Sequence, residues 1–155
     1  RVTQVERRAS KLDAIREFLD EQSTQTHMGP EEADYGLITF GSQQGTVAEA
    51  VDRLNDAGHS VKGIGVSDMM PYPVEEMTEF LESVDEALVV EMNASGQFRG
   101  LTQKELGRFG GKLSSLLKYN GEPFEPAEIV AGFEASIEGQ DVPEQQTTYV
   151  PAAGD

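Results

Sequence analysis

The chain has no cysteine among its 155 residues, which excludes disulfides, thiolate zinc sites and cysteine-held iron–sulfur clusters. Basic residues are scarce: 12 lysines and arginines, five of them lysines, stand against 28 acids, for a formal net charge of -16. Such a surface repels nucleic acid and anionic lipid, since either partner must be neutralised by cations; neither is expected as a partner. Long apolar runs are also missing. Nothing approaches the roughly 20 residues of a membrane span, and no signal-peptide pattern opens the chain, so the sequence predicts a cytoplasmic protein. The first residue is Arg1 rather than methionine, which raises the expectation of a processed terminus or a piece of a longer polypeptide. Acids are spread along the whole chain. A lysine-poor acidic surface suits concentrated salt, where the Debye length shrinks to roughly 3 Å near 1 M and self-repulsion is screened. The sequence therefore reads as halophilic, the alternative being an ordinary acidic domain with an acidic tail.

What is present is a regular alternation. Val5, Leu12, Ile15 and Leu19 recur at helical spacing through VTQVERRASKLDAIREFLDEQ, predicting an amphipathic helix over 2–22. A turn-rich linker, STQTHMGPEEAD, follows. Tyr35 to Phe40 reads as a buried strand and Thr46 to Ala57 as a helix with Val47, Ala50, Val51 and Leu54 on one face, closed by Gly58. A second strand is expected over 60–66 and a helix over 74–83, led by Pro73. A third strand is expected over 87–92, a helix over 100–109, a fourth strand over 113–119 and a last helix starting at Pro126. Strands alternating with helices at this spacing imply right-handed crossovers and a mainly parallel, doubly wound α/β sheet of about four or five strands covered on both faces, a three-layer sandwich. Residues 137–155 lack either periodicity and read as an extended tail. No internal repeat is visible.

Three stretches carry chemical interest. Gly41, Ser42, Gly45 and Thr46, in FGSQQGT, lie between a strand and a helix, where backbone amides can hold an anion. The pattern is neither a dinucleotide fingerprint nor a P-loop, and its spacing favours turn chemistry in which Thr46 caps the helix. Asp68, Met69, Met70, Pro71 and Tyr72 follow the second strand at its carboxyl end, where ligands gather in open α/β sheets; they line an interface or cover the core. Glu91, Asn93 and Gln97 follow the third strand. A buried acid needs partners, so Glu91 either serves as a catalytic carboxylate beside a second titrating group or ties down the loop with Asn93 and caps the next helix. His27 and His59 have no partner at metal-ligand spacing and read as surface residues. No metal site and no nucleophile–base pair is apparent, and the G-x-S-x-G elbow is missing.

Taken in order, FGSQQGTVAEAVDRLNDAGHSVKGIGVSDMMPYP, VVEMNASGQFRGL and KYNGEPFEPAEI resemble the carboxyl-terminal, transketolase-C-like domain of the alpha chain of 2-oxoacid:ferredoxin oxidoreductases, over about residues 5–135. The family favours a basic residue in its GxPF motif, where Glu122 stands here. The resemblance implies a transketolase C-terminal-like fold over 33–136, a connector helix over 1–22 and a structural, non-catalytic role in assembly. It implies that the whole enzyme oxidises a 2-oxoacid such as pyruvate or 2-oxoglutarate to acyl-coenzyme A while reducing ferredoxin. Thiamine diphosphate, magnesium, coenzyme A and iron–sulfur clusters would then belong to other parts, and no cofactor to this chain. The partners so implied are the pyrimidine-binding domain of the same chain, the beta subunit and, for the whole enzyme, ferredoxin. Asp68 to Tyr72 with Glu91, Asn93 and Gln97 would face such a neighbour. Two alternatives remain at this point: a free-standing α/β domain binding a nucleotide or phosphorylated ligand at Gly41 to Thr46, and a related ketoacid dehydrogenase or transketolase-type domain.

Overall fold

A computed structural model describes residues 2–20 and 24–139. Helix α1 spans Val2–Asp20, followed by β1 (Thr26–Met28), β2 (Tyr35–Phe40), α2 (Gln44–Asp56), β3 (Val61–Val66), α3 (Val74–Glu82), β4 (Glu86–Glu91), α4 (Gln97–Leu106), β5 (Leu113–Leu117) and α5 (Pro126–Ile137). The expected tail therefore begins later than 137, because α5 runs through Ile137; residues 140–155 lie outside the described residues.

The five strands form one sheet in the order β1-β3-β2-β4-β5. Strands β2 to β5 are parallel, with Ile38 opposite Ile64, Leu37 opposite Leu88 and Glu91 opposite Leu117. The edge strand β1 is antiparallel to β3, an element that sequence reading placed in a linker. Right-handed crossovers explain the layers. The step from β2 to β3 runs one way along the sheet and the steps to β4 and β5 run the other, so α2 lies on one face and α3 with α4 on the opposite face. Helix α5 returns to the face of α2.

Two apolar cores result, and adjacent strand residues feed them alternately. Leu37, Leu88 and Leu116 pack with Val47, Val51, Leu54, Ile129 and Phe133 on the α2–α5 face. Ile38, Val89 and Ile64 pack with Met77, Phe80, Leu81 and Phe98 on the α3–α4 face. Close approach of α5 to the sheet depends on Gly132, where a Cβ would stand 2.7 Å from a Leu116 methyl. Helix α1 does not join either core: its described residues are exposed along nearly its whole length, including Val5, Leu12, Ile15 and Phe18.

Candidate functional site: the carboxyl edge of the sheet

Because β2 to β5 are parallel, four loops meet at one edge: Gly41–Gln43 after β2, 67–73 after β3, 92–96 after β4 and 118–125 after β5. The chain's direction reverses between β2 and β4, the switch point at which open α/β sheets form ligand crevices.

Gly41 has φ +65 and opens a single 3-10 turn, Gly41–Gln43, from which α2 starts at Gln44. Thr46 lies inside the first turn of α2 and is not its cap; the N-cap residue is Gln43, and no side chain caps this end. Helix geometry overrode the hydroxyl signal because Gln43 turns inward, buried, with its side-chain amide against the Met92 sulfur at 2.8 Å. Ser42 and Gly45 are exposed. No lysine, arginine or acid occurs between Gly41 and Thr46, so the loop supplies neither a side-chain charge for a diphosphate nor a carboxylate for magnesium.

Glu91 is the organising residue of the edge. It is 1% exposed at the end of β4, and its carboxylate turns back into the loop that follows. Oε2 accepts hydrogen bonds from the Phe98 backbone N–H and the Asn93 side-chain amide, both at 2.7 Å. Oε1 accepts from the Arg99 N–H at 3.2 Å. Asn93 Oδ1 accepts from the Ser95 and Gln97 N–H groups. Gly96, the N-cap of α4, sits in the left-handed region at φ 62, and a side chain there would meet Ser115 Oγ and Glu91 Oε1. The first turn of α4 is thus held by an internal anion, where the helix dipole favours one. Among the described residues no second titrating side chain is paired with Glu91. Gln43 Oε1, Arg99 Nε and Ser115 Oγ, buried polar atoms without a protein partner, lie on the residues around this loop.

The loop after β3 divides. Tyr72 is 3% exposed; its hydroxyl donates to Thr102 Oγ1 at 2.8 Å, and Thr102 donates on to the Phe98 carbonyl. Burial pushes the phenol pKa from 10.0 up to about 12, partly offset by the hydrogen bond to Thr102. Pro71, Tyr72 and Glu91 are thus buried within this domain. Asp68 accepts the Thr24 hydroxyl. Met69 and Met70 do point outward, Met70 being 65% exposed. With Val74, Met92 and Tyr119 they make up every large apolar side chain exposed outside α1 among the described residues. All five lie at this one edge.

Sequence reading missed Lys118. It is 4% exposed, and its ammonium donates to the Pro123 carbonyl at 3.0 Å and to both Glu128 oxygens at 2.8 and 2.7 Å. Glu128 also closes the capping box that starts α5. The signal was available in KYNGEPFEPAE, a lysine directly after an apolar strand and a glutamate at the third position of a helix. His27 meets Glu76 at 2.7 Å and His59 meets Glu134 at 3.4 Å, two separate surface pairs. Among the described residues no group of three or more histidines and acids could hold a metal ion, and no helix is long and apolar enough to cross a membrane.

The comparisons with known proteins follow this architecture. Residues 33–129, from the loop before β2 to the first turn of α5, match the model of the pyruvate:ferredoxin oxidoreductase core domain II. The chain belongs to that family. Its sequence is 28% identical over 132 residues to the alpha subunit of 2-oxoacid:ferredoxin oxidoreductase 2 from Aeropyrum pernix, covering 85% of this chain and 20% of that one. A structure of 2-oxoglutarate:ferredoxin oxidoreductase from Magnetococcus marinus, with 2-oxoglutarate, coenzyme A and succinyl-CoA bound, superposes with TM-score 0.67 at 32% identity over 77% of this chain and 21% of that one. A split-gene transketolase shares the fold alone, at 14% identity and TM-score 0.59, over 76% of this chain and 42% of that one. The core domain II chain thus spans about a fifth of the length of the curated relatives it matches. The mainly parallel, three-layer α/β sandwich of the transketolase C-terminal type expected from sequence is the fold observed.

Proposed function

We propose that this core domain II is a non-catalytic structural module of a 2-oxoacid:ferredoxin oxidoreductase alpha chain, and that its carboxyl edge packs on a neighbouring domain or subunit of that enzyme. The observation that carries this is the segregation of exposed apolar side chains. Met69, Met70, Val74, Met92 and Tyr119 gather at one edge, and clustered apolar surface marks an interaction face rather than a solvated one. Methionines adapt to such faces. Glu91, Asn93 and Gln97 hold the loop that presents Met92, while Asp68 and Thr24 brace the loop that presents Met69 and Met70. The domain from residue 33 through the end of α5 at Ile137 is then the scaffold and α1 its connector.

The whole enzyme would decarboxylate a 2-oxoacid oxidatively, pass the acyl group to coenzyme A and reduce ferredoxin, in the cytoplasm and together with a beta subunit. Iron–sulfur clusters do not fit this chain, which has no cysteine. Thiamine diphosphate and magnesium lack a side-chain donor set at Gly41 to Thr46. These groups are assigned to the other parts of the enzyme.

An antibody against this chain tests the reading in an extract of the source organism. A polypeptide several times heavier than 16.9 kDa, enriched together with thiamine-dependent 2-oxoacid oxidation, is the expected result. A single polypeptide of 16.9 kDa, with heat released on titration of the isolated chain with thiamine diphosphate, coenzyme A or a nucleotide, would replace it with a free-standing binding domain.

A further inference from the structure

The loop after β5 carries the pair Asn120–Gly121, within KYNGEPF. An asparagine before a glycine is open to a reaction that needs no second protein. The main-chain nitrogen of the following residue attacks the side-chain carbonyl carbon, and glycine puts no Cβ in the way. A folded chain permits this where three conditions hold. The attacking N–H must be free, the carbonyl polarised and the amide nitrogen free to leave.

The chain has three asparagines, Asn55, Asn93 and Asn120, and the fold sets them apart. Asn55 lies in α2; its Nδ2 donates to the Val51 and Val61 carbonyls, and its Oδ1 accepts the Val61 N–H. Asn93 Nδ2 donates to the Glu91 carboxylate, and its Oδ1 accepts the Ser95 and Gln97 N–H groups. In both, the leaving nitrogen is tied down, and the next residue, Asp56 or Ala94, bears a side chain. Asn120 is exposed and differs on each count. Among the described residues neither its Nδ2 nor the Gly121 N–H has a hydrogen-bond partner. Its Oδ1 accepts the Glu122 N–H at 3.0 Å, a turn that closes over Gly121 at φ +90, where glycine is favoured. That hydrogen bond sits on the oxygen that gains negative charge as the nitrogen attacks. A Cβ on Gly121 would meet nothing within 4 Å, so solvent reaches the pair.

We propose that Asn120 is a modification site of the folded chain and deamidates through a cyclic imide with Gly121. The Gly121 nitrogen gives its proton to water as it bonds to Asn120 Cγ. The tetrahedral carbon then expels Nδ2, protonated from water, as ammonia. A second water opens the imide. Attack at Cγ leaves aspartate; attack at the main-chain carbonyl carbon leaves isoaspartate, with the chain running through Cγ. Amide and water thus become carboxylate and ammonia, with no oxidant and no cofactor. The new charge appears between Tyr119, 56% exposed, and Glu122. Both flanks of the loop are anchored, by the buried Lys118 ammonium on Glu128 and the Pro123 carbonyl and by the buried Phe124 ring, so the change is confined to the tip. The site stands whether or not the carboxyl edge docks as proposed above. Its effect on docking rests on that reading, because the charge enters the apolar face.

The test is incubation of the full folded chain at mildly alkaline pH, beside the same chain unfolded in urea. Peptide mass spectrometry follows the small gain in mass that marks hydrolysis of an amide, and an isoaspartyl methyltransferase reads the isoaspartate. In the folded chain Asn120 should convert at least ~10-fold faster than Asn55 or Asn93. Its rate should also lie within ~10-fold of the rate in urea. Conversion on a par with Asn55 and Asn93, or slower than that limit relative to urea, overturns the proposal. Asn120→Gln, which would have to close a larger ring, should abolish the conversion in this loop, and conversion undiminished in that variant overturns the assignment to Asn120. The aged chain should melt with the fresh one; a lowered melt overturns the confinement to the loop tip.

Discussion

Replacing Glu91 by glutamine separates a structural carboxylate from a catalytic one. The wild-type carboxylate accepts three hydrogen bonds: from Asn93 and the Phe98 N–H on Oε2, and from the Arg99 N–H on Oε1. Glutamine keeps one acceptor oxygen. Directed at Phe98 and Asn93, it leaves an amide NH2 facing the Arg99 N–H, donor against donor. The perturbation thus removes one hydrogen bond, removes charge assistance from two more and strips the first turn of α4 of its anion. Charge-assisted hydrogen bonds contribute about 1.5–3 kcal/mol each and a buried orphan donor costs about 1–3 kcal/mol; the dipole adds about 0.5–1 kcal/mol. Because the polar oxygen is retained, the expected net loss for Glu91→Gln is about 2–3 kcal/mol. Glu91→Ala, which orphans all three donors and leaves a cavity, should cost about 3–5 kcal/mol. Urea unfolding measures both, and hydrogen exchange at the Phe98 and Arg99 amides localises the effect to the start of α4. A Glu91→Gln variant within about 0.5 kcal/mol of wild type, with unchanged protection at those amides, would refute the reasoning.

Tyr72 offers a test by pH. Its phenol is pushed up to about 12 from 10.0 by burial, so the neutral form is favoured in the folded state. The stability this contributes is complete below pH 10 and is lost as pH rises from 10 through 12, about 2–3 kcal/mol in all. Subtracting the profile of Tyr72→Phe, which cannot ionise, should isolate that slope; identical profiles above pH 10 would exclude it. At neutral pH the same variant should lose about 0.5–1.5 kcal/mol, since Thr102 loses a buried donor. The net charge of -16 bears on salt. Dilution from molar to low millimolar potassium chloride should lower the melting temperature as repulsion among the acids is unscreened, and an unchanged melt and circular dichroism would remove the halophilic reading.

Much of the fold is legible because it follows from periodicity and chain direction. Strand β3 was expected over 60–66 and spans Val61–Val66; α3 was expected over 74–83 and spans Val74–Glu82. Both are framed by local signals, a β-branched run and a proline before a helix. Errors arise where a tertiary contact sets the boundary. Helix α4 was expected over 100–109, because Gly100 reads as a break, yet it spans Gln97–Leu106: the carboxylate of Glu91, six residues upstream, holds its first turn. Strand β1 has three residues, too few for a period, and exists because the edge of β3 is there to pair with. Helix α1 has the apolar spacing of a packed helix and packs on neither core. The Lys112 ammonium meets the Leu81 carbonyl in the last turn of α3 and the Val84 carbonyl just beyond it, where a cation complements the dipole; sequence spacing gives no sign of this contact.

The same distinction governs the site. A glycine loop between strand and helix looks like an anion cradle because backbone amides at a helix start are free to receive one. Two such starts, those of α2 and α4, meet at the switch point between β2 and β4. At α4 the chain supplies its own anion, Glu91, from the strand beside it. At α2 it supplies Gln43, buried against Met92, and no charged side chain. Once the polar demands of both helix starts are met from inside, or left without a charge to recruit a phosphate, the outward surface is free to be apolar. Met69, Met70, Met92 and Tyr119 occupy it. The loop chemistry that serves a cofactor elsewhere in doubly wound sheets thus serves here to tie down the loop that carries Met92, which is the ground for proposing this edge as a docking face.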